Sequence, residues 1–283
     1  MFDRWSRSWE LVKQSWQILL KDRELLVFPL LSTLATLGLI ATFVVPFCLL
    51  QAGAPRPQPH SLDPVWYGVG FLYYLGMFFI AYFFNIAIMQ CAAIRMDGGN
   101  PTVTDGLNGA LARAPKILAW AAISATVGIV LRLAEERVGF LGRLVVSLFG
   151  AAFTLVTSFT VPVLVFEELS VTDSARRAVD LLKKNWGESV IAQTGIGLVF
   201  GWLTVPGVLL MAAAGWVVAQ GHSVGIGLLI GSMGFLYIIV LSLIGATMTS
   251  IFRVALYRYA TQKPLGGYYA PELLAQHFAP RRA

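Results

Sequence analysis

Charge is what this sequence has least of. Only 13% of its 283 residues are Asp, Glu, Lys or Arg, against about 25% in soluble globular domains. Together with 57% apolar residues and a mean hydropathy of +0.71, that scarcity excludes a water-soluble domain and predicts a membrane protein. Cysteine is nearly absent. Cys48 and Cys91 fall near opposite ends of their predicted spans, roughly a bilayer core of about 30 Å apart, whereas a disulfide needs Cα atoms within about 7 Å. An internal bridge is therefore not expected. His60 and His222, with Asp63, share one face but lack the spacing of a metal motif, so no metal site is expected. No HExxH, phosphate-binding loop or CxxC occurs, and neither a catalytic residue nor a cofactor is assigned. Charge is also missing from the middle of every long apolar run. Proton- and ion-coupled transporters usually keep such a group because its cost at the midplane is borne only for function, so this absence counts against such coupling.

What is present is organised around residues 162–187, PVLVFEELSVTDSARRAVDLLKKNWG. A long apolar run ends at Glu167 and Glu168, an amphipathic helix starts at Val171-Thr172-Asp173, and the next apolar run begins after Trp186-Gly187. The same alternation of membrane span and interfacial helix describes the rest of the chain. Uncharged runs predict six spans over about 25–50, 64–94, 115–134, 144–166, 189–219 and 223–252, each near the roughly 20 residues that cross a bilayer. A cleaved signal peptide is not predicted, because the first run is too long and its 24-residue leader is wrong for one. The fold class expected is all-α: a polytopic membrane protein of three helical hairpins, each preceded by a cytoplasmic interfacial helix.

Those interfacial helices are expected over about 3–22, 104–116 and 173–186, with a cytoplasmic tail over 259–283. In the first, Trp5, Trp9, Val12, Trp16, Leu19 and Leu20 recur on one face, a pattern suited to the membrane interface. In the second, Thr104 or Asp105 is the expected N-cap. At an offset of 68, residues 103–116 match 171–184 at Val, Thr, Asp, Ala and Lys, which predicts an internal repeat of three units. Lys and Arg number 17 on one side of this topology and 4 on the other, a bias that places both termini in the cytoplasm. It also accounts for the net charge of +6 without a nucleic-acid partner.

The candidate contact residues are few. Glu167 and Glu168 leave the fourth span beside a basic helix carrying Arg176 and Arg177, with Trp186 at its end. Either the acidic pair is matched by those arginines, or an anionic headgroup docks among them. Asn85, Gln90 and Gln193 would line any polar path, although such amides more often hydrogen-bond between helices. Gly197 with Gly201, and Gly227 with Gly231, have the GxxxG spacing of close helix packing. The expected role is a non-enzymatic, membrane-embedded binding or organising protein, with transport of a lipidic or amphipathic small molecule as the alternative. Its expected partners are membrane lipids, anionic headgroups above all. A protein partner or a homo-oligomer stays open.

The segments RSWELVKQSWQILLKDRELLVFPLLS, PVLVFEELSVTDSARRAVDLLKKNWGES and ALYRYATQKPLGGYYAPELL resemble a family of bacterial six-span membrane proteins with no established activity. More distantly, they resemble the membrane domain attached to some glycerophosphodiester phosphodiesterases. The resemblance rests on Pro162, Glu167, Arg177, Trp186-Gly187 and Tyr257-Arg258-Tyr259, with mild departures at Ala178 and Gly267-Tyr268. It implies a six-span fold in a bacterial inner membrane and supplies no catalytic residue.

Overall fold

The structure, a computed structural model, describes residues 13–51, 64–220 and 223–264, except for the side chains of 47–51, 64–67 and 184–196. Among the described residues every regular element is helical. Helix α1 covers 13–21, and a short 3-10 turn, Arg23–Leu26, follows. The remaining helices are α2 (Val27–Gln51), α3 (Pro64–Met96), α4 (Val103–Leu111), α5 (Ala114–Arg137), α6 (Phe140–Phe166), α7 (Val171–Ala219) and α8 (Val224–Ala260). Six stretches are long and apolar enough to cross a membrane: Arg23–Pro46, Gly68–Met96, Ala114–Arg137, Phe140–Phe166, Gly197–Ala219 and Val224–Ala260. The protein is a multi-pass, all-helical membrane protein. The spans leave large apolar side chains exposed on the protein itself, with Leu34, Leu148, Trp202 and Leu229 all more than 60% accessible, as expected where acyl chains rather than water are the solvent.

Three expected boundaries are corrected. The N-cap of α4 is Thr102, not Thr104 or Asp105: its hydroxyl accepts from the Asp105 amide, and the Asp105 carboxylate accepts from the Thr102 amide. This capping box satisfies two amides that the helix start leaves open. The amphipathic helix expected to run to 116 stops at Leu111, and α5 starts at Ala114, with Pro115 in its first turn, where proline's missing N–H costs nothing. Finally, the helix expected to end at Trp186-Gly187 does not end there. α7 runs unbroken for 49 residues, because a lone glycine costs a helix only about 1 kcal/mol and no proline intervenes before Pro206.

The chain divides into two compact units, one of 1–26, 92–100 and 185–283, the other of 27–91 and 101–184. In the first unit, α1 buries Ser15, Ile18 and Leu19, while Trp16 and Leu20 are 40% and 48% exposed. The predicted stripe is thus divided, with Leu19 inside and Trp16 and Leu20 outward; Trp5 and Trp9 lie outside the described residues. The final turns of α8 are among the best-buried parts of the chain. Val254, Ala255, Leu256, Tyr257 and Arg258 are all nearly inaccessible, although the sequence reads them as a departure from the membrane. α7 and α8 approach at Gly207 and Gly234, where a Cβ on Gly234 would lie 2.9 Å from the Gly207 carbonyl oxygen. Gly227 and Gly231 face Ala214 and Val218, whereas Gly197 and Gly201 have nothing within 4 Å. The GxxxG expectation therefore fails for the 197–201 pair. Gly207 lies six residues on from Gly201, about 240° around the helix, so the two present different faces.

In the second unit, Phe43 and Tyr73 meet edge to face with centroids 5.5 Å apart, joining α2 to α3. Trp120 stacks on Phe153 at 5.9 Å, joining α5 to α6. The Tyr82 hydroxyl donates to the Ser124 hydroxyl at 2.9 Å, a polar bond between two spans. α4 lies against α3 so closely that Gly106 is fully enclosed by Phe28, Cys91 and Ala87. Cys91 is buried, and its thiol donates to the Thr102 carbonyl at 3.4 Å.

Candidate functional site

Charged side chains in this chain gather where helices end, because the ends leave backbone groups open and border the headgroup region. In the second unit the gathering point is the C-terminal end of α6. Its last turn buries Val163, Leu164 and Val165, and the chain leaves the helix at Glu167, whose N–H donates to the Val163 carbonyl. Glu167 then faces α7, where Arg177 lies at 3.5 Å. With side chains 22% and 41% exposed, this pair is partly screened by solvent and is worth about 1 kcal/mol or less. Of the two arginines expected beside the acidic pair, Arg177 is therefore the partner. Arg176 turns outward, 82% exposed, to Asp173 at 3.6 Å.

α7 begins as α4 does. The Ser170 hydroxyl accepts from the Asp173 amide at 3.2 Å and donates to the Asp173 carboxylate at 2.6 Å. Ser174 and Ala178 are buried one turn apart, as Gly106 and Ala110 are in α4. Hydroxyl cap, aspartate and buried small residues recur at the offset of 68.

The sequence did not single out Arg113, which joins α4 to α5. Its Nη1 donates to the Gly109 carbonyl at 2.9 Å. With the Gln90 amide turned so that its oxygen faces the guanidinium, that oxygen accepts from Nη1 at 2.8 Å and from Nη2 at 3.3 Å. Gln90 also lies against Gly109, where a Cβ would meet its Cγ at 2.8 Å. Burial pulls the Arg113 guanidinium down from its usual value, and the Glu168 carboxylate opposes that pull. Glu168 itself is exposed. Gln90, Arg113 and Glu168 thus belong to one electrostatic neighbourhood with two neutral partners and one solvated acid. The sequence marks Arg113 only as a cation that borders the third span.

The other candidate residues are not drawn into this cluster. Asn85 donates to the Ala81 carbonyl of its own helix at 3.0 Å. The side chains of Trp186 and Gln193 lie outside the described residues, as do His60, Asp63 and His222. Among the described residues no group of three or more His, Cys, Asp or Glu is placed to hold a metal ion.

The first unit has its own polar junction, which sequence reasoning missed. Arg95, at the end of α3, donates to both carboxylate oxygens of Asp22 and to the Asn100 side chain. The side chains of Arg95 and Asp22 are 15% and 7% exposed. Arg258, near the end of α8 and 9% exposed, donates to both oxygens of Asp97 at 2.7 and 2.8 Å, and to the Ala93 and Pro264 carbonyls. Hydrogen bonding from Arg258 holds Asp97 below the usual carboxylate range, opposed by partial burial. Two bidentate arginine-carboxylate forks therefore clamp the end of α3, α1 and α8 within this unit. In the sequence, Asp22, Arg95 and Asp97 show only as charges near the end of a long apolar run, and Arg258 as part of the Tyr257-Arg258-Tyr259 element.

The sequence profile of a family of unknown function, DUF6159, matches residues 65–267. No curated protein and no solved structure matches the chain.

Proposed function

The chain belongs to this family of unknown function, and from that premise we propose that it is a non-enzymatic, membrane-embedded binding or organising protein that holds anionic lipid headgroups at the end of α6. Arg113 carries the reading. It is half buried, its hydrogen-bond partners are the neutral Gly109 carbonyl and Gln90 amide, and its acid neighbour Glu168 is solvated. A phosphate is the counter-charge that such a guanidinium is short of. Glu167, by contrast, is matched by Arg177 and contributes to the shape of the site rather than its charge.

The leaflet is the cytoplasmic one if the 17 to 4 distribution of Lys and Arg orients the chain, and a bacterial inner membrane supplies anionic lipid there. The matched caps of α4 and α7 support the repeat reading, in which each unit sets an interfacial helix before its spans. Transport of a lipidic molecule would draw support from a cavity lined by Asn85 or Gln90. Gln90 is instead engaged by Arg113 and Asn85 by its own helix, so binding is the preferred reading.

The experiment is electron paramagnetic resonance of spin-labelled phosphatidylglycerol and phosphatidylcholine around the full-length protein in nanodiscs. A larger immobilised fraction for phosphatidylglycerol is expected, reduced severalfold in Arg113→Ala and partly kept in Arg113→Lys. Equal immobilisation of the two lipids by the unsubstituted protein refutes the reading.

A further inference from the structure

At the opposite end of α5 from Arg113, the last turns of α5 and the first turn of α6 enclose a depression of about 650 Å³, lined by Gly128, Leu131, Arg132, Glu135, Glu136 and Arg143. We propose that it is a second lipid site, which takes the headgroup of a zwitterionic phospholipid bearing a primary amine. The claim is independent of the anionic site at α6.

Three observations place the depression at the edge of the hydrocarbon. Phe140 and Leu141, at the start of α6, are 84% and 75% exposed, which is unfavourable in water for two adjacent large apolar side chains and natural against acyl chains. Gly128 and Leu131 give the depression an apolar floor one turn deeper along α5, with Leu131 3.7 Å from where a Cβ on Gly150 of α6 would stand. The Tyr74 hydroxyl, which accepts from Arg132 at 2.9 Å, is a ring of the kind that settles at the headgroup level.

The lining chooses the headgroup. Arg132 and Arg143 are the phosphate-binding groups. Arg132 is oriented by Tyr74, and its ion pair with Glu136 is long, at 3.8 Å, with both side chains more than 60% exposed. Such a pair is readily exchanged for a stronger partner. Two carboxylates, Glu135 and Glu136, stand in the same lining, so a headgroup with net negative charge meets repulsion that offsets its attraction to the arginines. A headgroup carrying phosphate and ammonium together matches both signs. A primary ammonium donates hydrogen bonds to the carboxylates; a trimethylated choline cannot, and loses that part of the binding. Phosphoethanolamine lipid is therefore favoured over phosphocholine lipid.

The test uses the full chain in phosphatidylcholine nanodiscs with spin-labelled phosphatidylethanolamine or phosphatidylcholine as the reporter. The relative association constant of the ethanolamine lipid is expected to be about tenfold higher, the loss attached to one charge-assisted bonding set. Glu135→Gln with Glu136→Gln should level the two lipids, while Arg132→Gln with Arg143→Gln should weaken both. These side chains lie at an open rim, and retention of monodispersity and helical content identifies folded variants. Soluble glycerophosphoethanolamine is added as competitor: failure to compete at concentrations matching the lipid assigns the site to lipid. Equal association of the two lipids, a preference that survives the double glutamine variant of the glutamates, or full competition by the soluble headgroup would each overturn the proposal.

Discussion

Replacing Gly106 by alanine sets two effects of known size against each other. Gly106 lies in the first half of α4, and in an open helix the substitution stabilises by about 1 kcal/mol, through lower backbone entropy in the unfolded chain. Here a Cβ would lie 2.5 Å from Phe28 Cζ, 2.8 Å from Cys91 Sγ and 2.9 Å from the Ala87 carbonyl oxygen. None of the three can yield cheaply. Phe28 is fully buried, the Ala87 oxygen is backbone of α3, and the Cys91 thiol is engaged with Thr102. Overpacking of this kind costs about 1–3 kcal/mol and more where backbone must shift, so the net expectation is a loss of about 1–2 kcal/mol, a factor of roughly 5–30 in the ratio of folded to unfolded protein. Gly38, with nothing within 4 Å of its Cβ position, is the matched control, and Gly38→Ala should be neutral or stabilising by up to about 1 kcal/mol. The assay is titration of the purified protein with sodium dodecyl sulfate in mixed micelles, followed by tryptophan fluorescence and far-ultraviolet circular dichroism. If Gly106→Ala unfolds no earlier than the unsubstituted protein, the enclosed packing of α4 against α3 is wrong.

The clamp on α8 is asymmetric, because Arg258 is 9% exposed and Asp97 is 65% exposed. Asp97→Ala leaves a buried guanidinium with only carbonyl partners and should cost about 2 kcal/mol, whereas Arg258→Met leaves a carboxylate that water can solvate and should cost under about 1 kcal/mol; the same titration compares them. Asp97 titrates lower folded than unfolded, so its contribution is present above the unfolded value of about 3.9 and is lost as pH falls through the folded value; melting temperature against pH should fall more shallowly there in Asp97→Ala. Loss of the capping hydroxyl in Thr102→Ala should destabilise by about 0.5–2 kcal/mol, read by the same titration, with Thr102→Ser restoring it. Reporter fusions after Lys21, within 51–63 and after Arg258 should place the first and third in the cytoplasm and the second outside; a periplasmic signal at either terminus refutes the orientation.

The helical class and six apolar stretches long enough to cross a membrane were determined by the sequence alone. The reason is physical: hydrocarbon forces every backbone amide of a span to bond within its own helix, so apolar length reports structure without reference to neighbours. The pairing of Glu167 with the following basic helix was within reach of the sequence for a similar reason, since Arg177 stands only 10 positions on from Glu167. What required the tertiary structure is everything decided by distant partners. Arg113 has no local mark that sets it apart from other boundary cations; only the packing of α4 on α3 brings Gln90 to it. Arg258 and Asp97 stand 161 residues apart, and one fork between them converts a stretch that reads as an exit from the membrane into one of the best-buried turns of the chain. The continuity of α7 through Gly187 is of the same kind. Composition marked a boundary there, but a helix ends only where ending satisfies its backbone groups better than continuing does, and neither a proline nor a cap interrupts this one.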